Sequence, residues 1–311
     1  MIFNLDITGF RTLLRLLSIT IKLMPELPEV ETIARGLDKR VAGDTIESVW
    51  LGEKPEPLKS SAADIASVLE RSRIARVQRV GKHIVFDLEK PTAAAGKRIA
   101  ADSTFPRRGQ WIVHLGMTGQ LLIAMPATPH VKHTHAVLRL GSGRELRFVD
   151  PRRFGRLAVV RPETKDGARF NAPGREPLTT GIEDFVALFH GRKTPIKSAL
   201  LNQKLLSGVG NIYADEALFR ASVRPRRQAA SLTRSEFEKL RSGLRQVLRH
   251  AIRLGGSSVS DYVDADGREG FFQLKHRVYG REGQPCLVCG TPIKRVIIAG
   301  RSSHYCPHCQ K

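Results

Sequence analysis

The end of the chain constrains its structure more than any other stretch. CLVCG and YCPHC place Cys286 and Cys289, then Cys306 and Cys309, with two residues inside each pair and 16 between the pairs. Four thiolates at this spacing can close a tetrahedron around one zinc ion, and Gly290 eases the first turn. The chain has no other cysteine. Such clustering predicts a metal site in a reducing compartment, not the disulfide framework of a secreted protein. Four sulfur ligands leave no open position, so the expected zinc is structural and holds a hairpin. His304 and His308 could substitute for a ligand, but the four cysteines suffice. Arg295 and Arg301 fall inside that hairpin, where they can face a phosphate backbone.

Ahead of this module the residue pattern changes once. Runs with strand character cover 45–51, 74–80, 83–88, 111–114, 135–140, 145–148 and 157–160, and Gly141-Ser142-Gly143 reads as a hairpin turn. A helix is expected at 62–71, and 91–109 reads as a long surface loop. After a stretch rich in proline and glycine at 162–181, the pattern becomes helical at 182–190, 196–206, 212–220 and 233–254. The expected fold class is α+β in two domains. An antiparallel β-sandwich with flanking helices spans 24–161, a hinge 162–181, a helical domain 182–283 and the zinc hairpin 284–311.

Residues 1–23 are apolar but broken by Arg11, Arg15 and Lys22. They are too interrupted for a membrane span, and no small-residue cleavage site follows. They are expected to lie outside the fold. The charge of the chain is +21, from 51 basic and 30 acidic side chains spread along its length. That surplus predicts a folded basic surface and a polyanionic partner, nucleic acid above all.

Two further stretches carry chemistry. SGVGNIYADEAL puts a Gly-x-Gly turn directly before a helix, where backbone N–H groups can hold a phosphate and Asn211 adds a donor. A ligand-free helix–turn–helix explains the same residues. MPELPEVETIARGL opens an amphipathic helix, with Val30, Ile33, Ala34 and Leu37 on one face. If Met24 were the initiator and were removed, Pro25 would carry a free secondary amine with a pKa near ~8. Such an amine can attack a sugar C1′ and form an iminium, with Glu26 shuttling protons beside it. With residues 1–23 attached, Pro25 lies inside an amide and cannot act.

PELPEVET, HLGMTGQL, DPRRFG, GVGNIYADEALF, FFQLKHRVYGREGQPC and YCPHCQK occur in this order and resemble the formamidopyrimidine-DNA glycosylases over essentially all of 24–311. The sister endonuclease VIII group opens Pro-Glu-Gly-Pro-Glu, and Leu27 sets this chain apart from it. The resemblance implies a helix–two-turn–helix in the second domain and an enzyme that removes oxidised purines, then cuts the abasic strand by β,δ-elimination. It makes Pro25 the Schiff-base nucleophile and Glu26 the catalytic acid. Lys82 becomes the lesion-engaging proton donor and Arg301 the phosphate-gripping residue of δ-elimination. His133, Arg152, Lys193 and Asn211 become DNA contacts. Met117, Arg152 and Phe154 become the fillers of the gap left by a flipped base, although Met117 and Phe154 alone read as ordinary core. A lesion-reading loop is implied within 257–273. The implied partner is double-stranded DNA with oxidised bases or abasic sites, met by a monomer in the bacterial cytoplasm. Preference for oxidised pyrimidines, or non-catalytic binding of damaged DNA, are the alternatives.

Overall fold

The computed structural model describes residues 24–90, 108–161, 169–257 and 270–311. The leader 1–23, residues 91–107, the hinge residues 162–168 and the loop residues 258–269 lie outside these. Short runs of β-branched and aromatic residues form eight strands in the first half: β1 (Ile46–Leu51), β2 (Arg73–Val80), β3 (His83–Glu89), β4 (Arg108–His114), β5 (Gln120–Ala124), β6 (Thr134–Leu140), β7 (Glu145–Val149) and β8 (Arg156–Val160). They pair antiparallel into two sheets, β1-β6-β7-β5 and β2-β3-β4-β8. Phe86 and Trp111 on one sheet, with ring centroids 4.7 Å apart, share a core with Leu138, Leu146 and Phe148 on the other. Each such side chain contributes about 1.5–3 kcal/mol by burial. This is the expected sandwich.

Several elements differ from the sequence reading. Strand β5 was not foreseen, because QLLIA is short, lacks alternation and earns its place only by pairing with β7. Strand β4 begins at Arg108, so Gly109, expected in the surface loop, pairs opposite Leu88. The helix expected at 196–206 stops after six residues.

The helices are α1 (Leu27–Val41), α2 (Ala62–Leu69), α3 (Ile182–Phe189), α4 (Ile196–Leu201), α5 (Asn211–Arg220) and α6 (Arg234–Arg253). Helix α4 ends because the Asn202 side chain accepts the Lys204 N–H at 3.0 Å, a local turn that competes with helix. Helix α2 ends two residues before its expected limit, and Arg71 then turns at φ +59°. Helix α6 starts at a reciprocal cap between Thr233 and Glu236.

Helix α1 belongs to both halves of the molecule. Val30, Ile33, Ala34 and Leu37 pack into the sandwich core, whereas Leu27 packs among the helices of the second half. The Leu27 N–H donates to the Gly208 carbonyl at 3.0 Å, which fixes the start of α1 against the turn before α5. The junction is therefore built around the residues that follow Pro25.

The final module is a hairpin of β9 (Lys294–Ile298) and β10 (Arg301–Tyr305). Ala299 and Gly300 turn it with φ of +47° and +73°, the geometry of a twisted two-residue hairpin loop. Its core is small: Phe219, Val278 and Ile293 with Cys286 and Cys306. Among the described residues no helix is long and apolar enough to cross a membrane.

Candidate active site

Glu26 is buried at the start of α1, facing the N-terminus of α5. Its Oε1 accepts the Ile212 N–H at 3.3 Å. A Cβ on Gly210 would come within 2.1 Å of the Glu26 carboxyl carbon, so only glycine admits this approach. The first turn of α5, just after the Gly-x-Gly turn, thus meets the protein's own carboxylate. Burial, with Glu29 adding to it, raises the Glu26 pKa to about 7, while Lys82 and the α5 backbone N–H groups oppose the rise.

Glu29, one turn further along α1, accepts the Glu26 N–H at 2.9 Å, the Ser257 N–H at 2.8 Å and the Tyr213 hydroxyl. Burial raises its pKa too. This carboxyl ties the start of α1 to α5 and to the residue that leads into the loop expected to read the lesion. Motif reading singled out neither Glu29 nor Tyr213, since nothing in their spacing shows that they meet.

Lys82 sits in the two-residue turn between β2 and β3. Gly81 takes φ +62°, and a Cβ there would strike the Ser207 hydroxyl at 2.2 Å. The tight turn presents the Lys82 amine to the junction between the two halves. Burial lowers its pKa, the Glu26 and Glu29 carboxyls oppose that, and Arg301 reinforces it.

Arg301 begins β10, and a buried ion pair holds that strand against α5. Lys197 and Asp215 lie 2.7 Å apart, both fully buried. The Lys197 amine donates to the Ser302 carbonyl at 2.6 Å, and Asp215 accepts the His304 N–H at 2.8 Å. His304 is therefore engaged with Asp215 and is not needed as a metal ligand. The four cysteine sulfurs lie within 4.8 Å of one another, with Cys289–Cys306 at 3.5 Å and Cys286–Cys309 at 3.9 Å. A tetrahedron with zinc–sulfur bonds of ~2.3 Å has edges of about 3.8 Å. One structural zinc ion fits these residues.

Glu26, Lys82, His114, Asn211, Arg301 and Met24 line one cavity of about 420 Å³. Met24 and Glu26, the two neighbours of Pro25 in the chain, both line it. A neighbouring cavity of about 430 Å³ shares Met24 and His114 and is lined also by Met117 and Phe154. Phe154 is 54% exposed, so it is no core residue. The Arg152 guanidinium stands 4.8 Å from its ring centroid. His133, Arg152 and Lys193 are exposed and line neither cavity.

His114 was not singled out from the sequence. Burial, with His83, Arg156 and Lys82 nearby, lowers its pKa to about 4. Its Nδ1 accepts the Gly116 N–H at 3.1 Å, leaving the proton of the neutral ring on Nε2. The junction therefore holds a carboxyl that titrates near neutrality, an amine of lowered basicity and a guanidinium. That set can move protons beside a polyanion.

Comparison with known proteins agrees with this architecture. Residues 24–157 match the formamidopyrimidine-DNA glycosylase N-terminal domain, 174–263 the H2TH domain of the same enzymes, and 283–311 a zinc finger found in FPG and IleRS. The formamidopyrimidine-DNA glycosylase of Solibacter usitatus is 45% identical over 292 residues, covering 93% of this chain and 100% of the relative. The structure of MutM in complex with DNA containing carbocyclic 8-oxo-G superposes with a TM-score of 0.79 at 31% identity, covering 92% of this chain and 100% of that one. The complex of Lactococcus lactis Fpg with abasic-site DNA gives a TM-score of 0.77 at 30% identity, over 92% and 99% of the two chains. With its domain order, its zinc module and the full length of its relatives matched, the chain belongs to the formamidopyrimidine-DNA glycosylase family.

Proposed function

We propose that this protein excises oxidised purines from duplex DNA through a Schiff base on Pro25, then cuts the strand by β,δ-elimination. The observation that carries this reading is the Glu26 carboxyl, with a pKa near 7, sharing one cavity with Lys82 and Arg301 beside Pro25. The unprotonated Pro25 nitrogen attacks C1′, the glycosidic bond breaks with its electron pair leaving on the base, and the proton shed by the Pro25 nitrogen neutralises the departing base. Glu26 supplies a proton as the sugar ring opens, which yields an iminium. That cation acidifies C2′–H, so loss of this proton expels the 3′ phosphate. Loss of a further proton expels the 5′ phosphate. Lys82 engages the lesion and serves as proton donor in the first elimination, while Arg301 grips the phosphates during the second. The zinc ion takes no part in these steps and holds the hairpin that presents Arg301.

The target base must leave the duplex, at a cost of a few kcal/mol. Met117 and Phe154 occupy the gap as apolar wedges, and Arg152 bonds the orphaned base. His133, Arg152, Lys193 and Asn211 hold the DNA backbone. Solved relatives in complex with 8-oxo-G and abasic-site DNA support this choice of substrate. Cleavage of otherwise identical duplexes carrying 8-oxoguanine or an oxidised pyrimidine tests it. Faster release of the purine is expected. A clear preference for the pyrimidine overturns the assignment, and binding without cleavage of either marks a damaged-DNA binder.

Glu26→Gln separates the chemistry from the binding. Excision should fall by about 10²–10⁴-fold, the usual worth of general acid–base catalysis. The wild-type pH–rate profile should be bell-shaped with its maximum between about 7 and 8, because Pro25 must lose its proton while Glu26 keeps one, and the alkaline limb should vanish in the variant. Stability should move the other way. Because the folded pKa lies above the unfolded one, protonated Glu26 favours the fold at low pH, and that contribution is lost as pH rises through about 7. Glu26→Gln should therefore melt higher than wild type at pH 8, by a gain of up to about 3 kcal/mol. An unchanged pH–rate profile would remove Glu26 from the mechanism.

Phosphate contacts make a different signature. Lys193→Ala should weaken binding to lesion and normal duplexes alike, and flatten the salt dependence by about one unit of slope. Loss confined to lesion DNA would instead put Lys193 in the recognition pocket.

A further inference from the structure

Asp150 lies fully buried just beyond the end of β7, opening the segment Asp150-Pro151-Arg152-Arg153-Phe154-Gly155. Its Oδ1 accepts the Thr118 hydroxyl at 2.5 Å and the Arg152 N–H at 3.3 Å, and its Oδ2 accepts the Gly155 N–H at 2.7 Å. Its main chain is held as well. The Asp150 N–H donates to the His133 carbonyl at 3.0 Å, and its carbonyl lies 3.0 Å from His135 Nε2.

One residue thus joins three segments: the turn that carries Met117, the loop that carries Arg152 and Phe154, and the approach to β6 that carries His133. The first two segments touch without spare room. A Cβ on Gly116 would come within 2.6 Å of the Phe154 carbonyl carbon. The chemistry at the hub calls for a carboxylate, because both oxygens must accept. An asparagine amide has one accepting oxygen, and its NH₂ would confront either the Gly155 N–H or the Arg152 N–H.

We propose that Asp150 is a positioning residue that locks Met117, Arg152 and Phe154 into one preformed wedge, so that these side chains enter the helix together. The proposal rests on the void-filling role given above to those three residues. A loop that must order itself on each insertion loses conformational freedom at that moment, whereas a wedge already tied at its base does not. Asp150 touches neither lesion nor scissile strand in this account. It acts only through the side chains it holds.

The test is single-turnover excision of 8-oxoguanine from a fully paired duplex and from the same sequence with the lesion in an unpaired bubble. Extrusion from the bubble needs little void filling, so the ratio of paired to bubble rates reports the wedge. Asp150→Asn should lower that ratio about tenfold, the worth of one strong buried hydrogen bond. Thr118→Val should lower it less, and Thr118→Ser, which keeps the hydroxyl, should restore it. Met117→Ala and Phe154→Ala, measured alongside, test the wedge itself. If they leave the ratio unchanged, the void-filling role fails. If they lower it while Asp150→Asn and Thr118→Val do not, the proposal for Asp150 fails. An equal loss on both substrates makes Asp150 a residue of the fold only and overturns the proposal. Should Asp150→Asn not fold, Thr118→Val with its serine rescue decides.

Discussion

Replacing Cys289 with serine, or stripping the metal, is expected to unfold the terminal hairpin and lower DNA affinity by at least about tenfold, the scale of one or more lost charge-assisted contacts. Structural zinc contributes about 10–16 kcal/mol in small modules of this kind, and that energy is folding energy. Little else in the hairpin can replace it. Its apolar core amounts to Phe219, Val278 and Ile293 beside the cysteines. The Lys197–Asp215 pair grips β10 at the Ser302 carbonyl and at the His304 N–H and ring. Once the metal leaves, Arg301 loses the strand that aims it into the cavity, and the second elimination should suffer more than base release. The sandwich has its own core and should stay folded, so circular dichroism should show a local loss. Unchanged affinity in a protein verified to be zinc-free would show that the hairpin is dispensable.

The second large effect concerns the amine. A chain in which residues 1–23 remain joined to Pro25 should bind lesion DNA yet show no excision above background. Resonance draws the Pro25 nitrogen lone pair into the peptide bond, so it cannot attack C1′. The same chain beginning at Met24, with that methionine removed, should turn over. Met24 borders both cavities, so anything attached to it approaches the space the DNA must fill. Binding by the long form should therefore also weaken. Intact mass must be measured on both samples, because trace proteolysis would free Pro25. Equal turnover by the two forms would remove Pro25 from the role of nucleophile.

Much of the fold was legible because its signals are local. The cysteine spacing, the apolar face of α1, the glycine turn at 141–143 and the change from strand to helix patterning are each contained within a few residues. What stayed hidden depends on distant partners. Strand β5 exists because β7 lies beside it, and α4 stops because one asparagine turns the chain. Glu29 and Asp150 are ordinary polar residues in the sequence, yet each is buried and accepts from donors distant in the chain, Tyr213 and Ser257 for Glu29 and Thr118 for Asp150. Phe154 misled in the opposite sense. Its apolar side chain reads as core, whereas it stands half-exposed on a loop at the cavity rim. The role of Leu27 in the helical core was equally invisible, since periodicity assigns a residue to a face and not to a domain.

Borohydride trapping tests covalent chemistry at Pro25 most directly. The protein with a free Pro25 amine is mixed with 8-oxoguanine duplex, reduced, digested, and the adduct mapped by mass spectrometry. A DNA adduct on the N-terminal peptide, at the Pro25 nitrogen, is expected, with a sharp loss of adduct in Pro25→Gly. Efficient strand cleavage with no adduct, or an adduct on Lys82 in its place, would contradict covalent chemistry there.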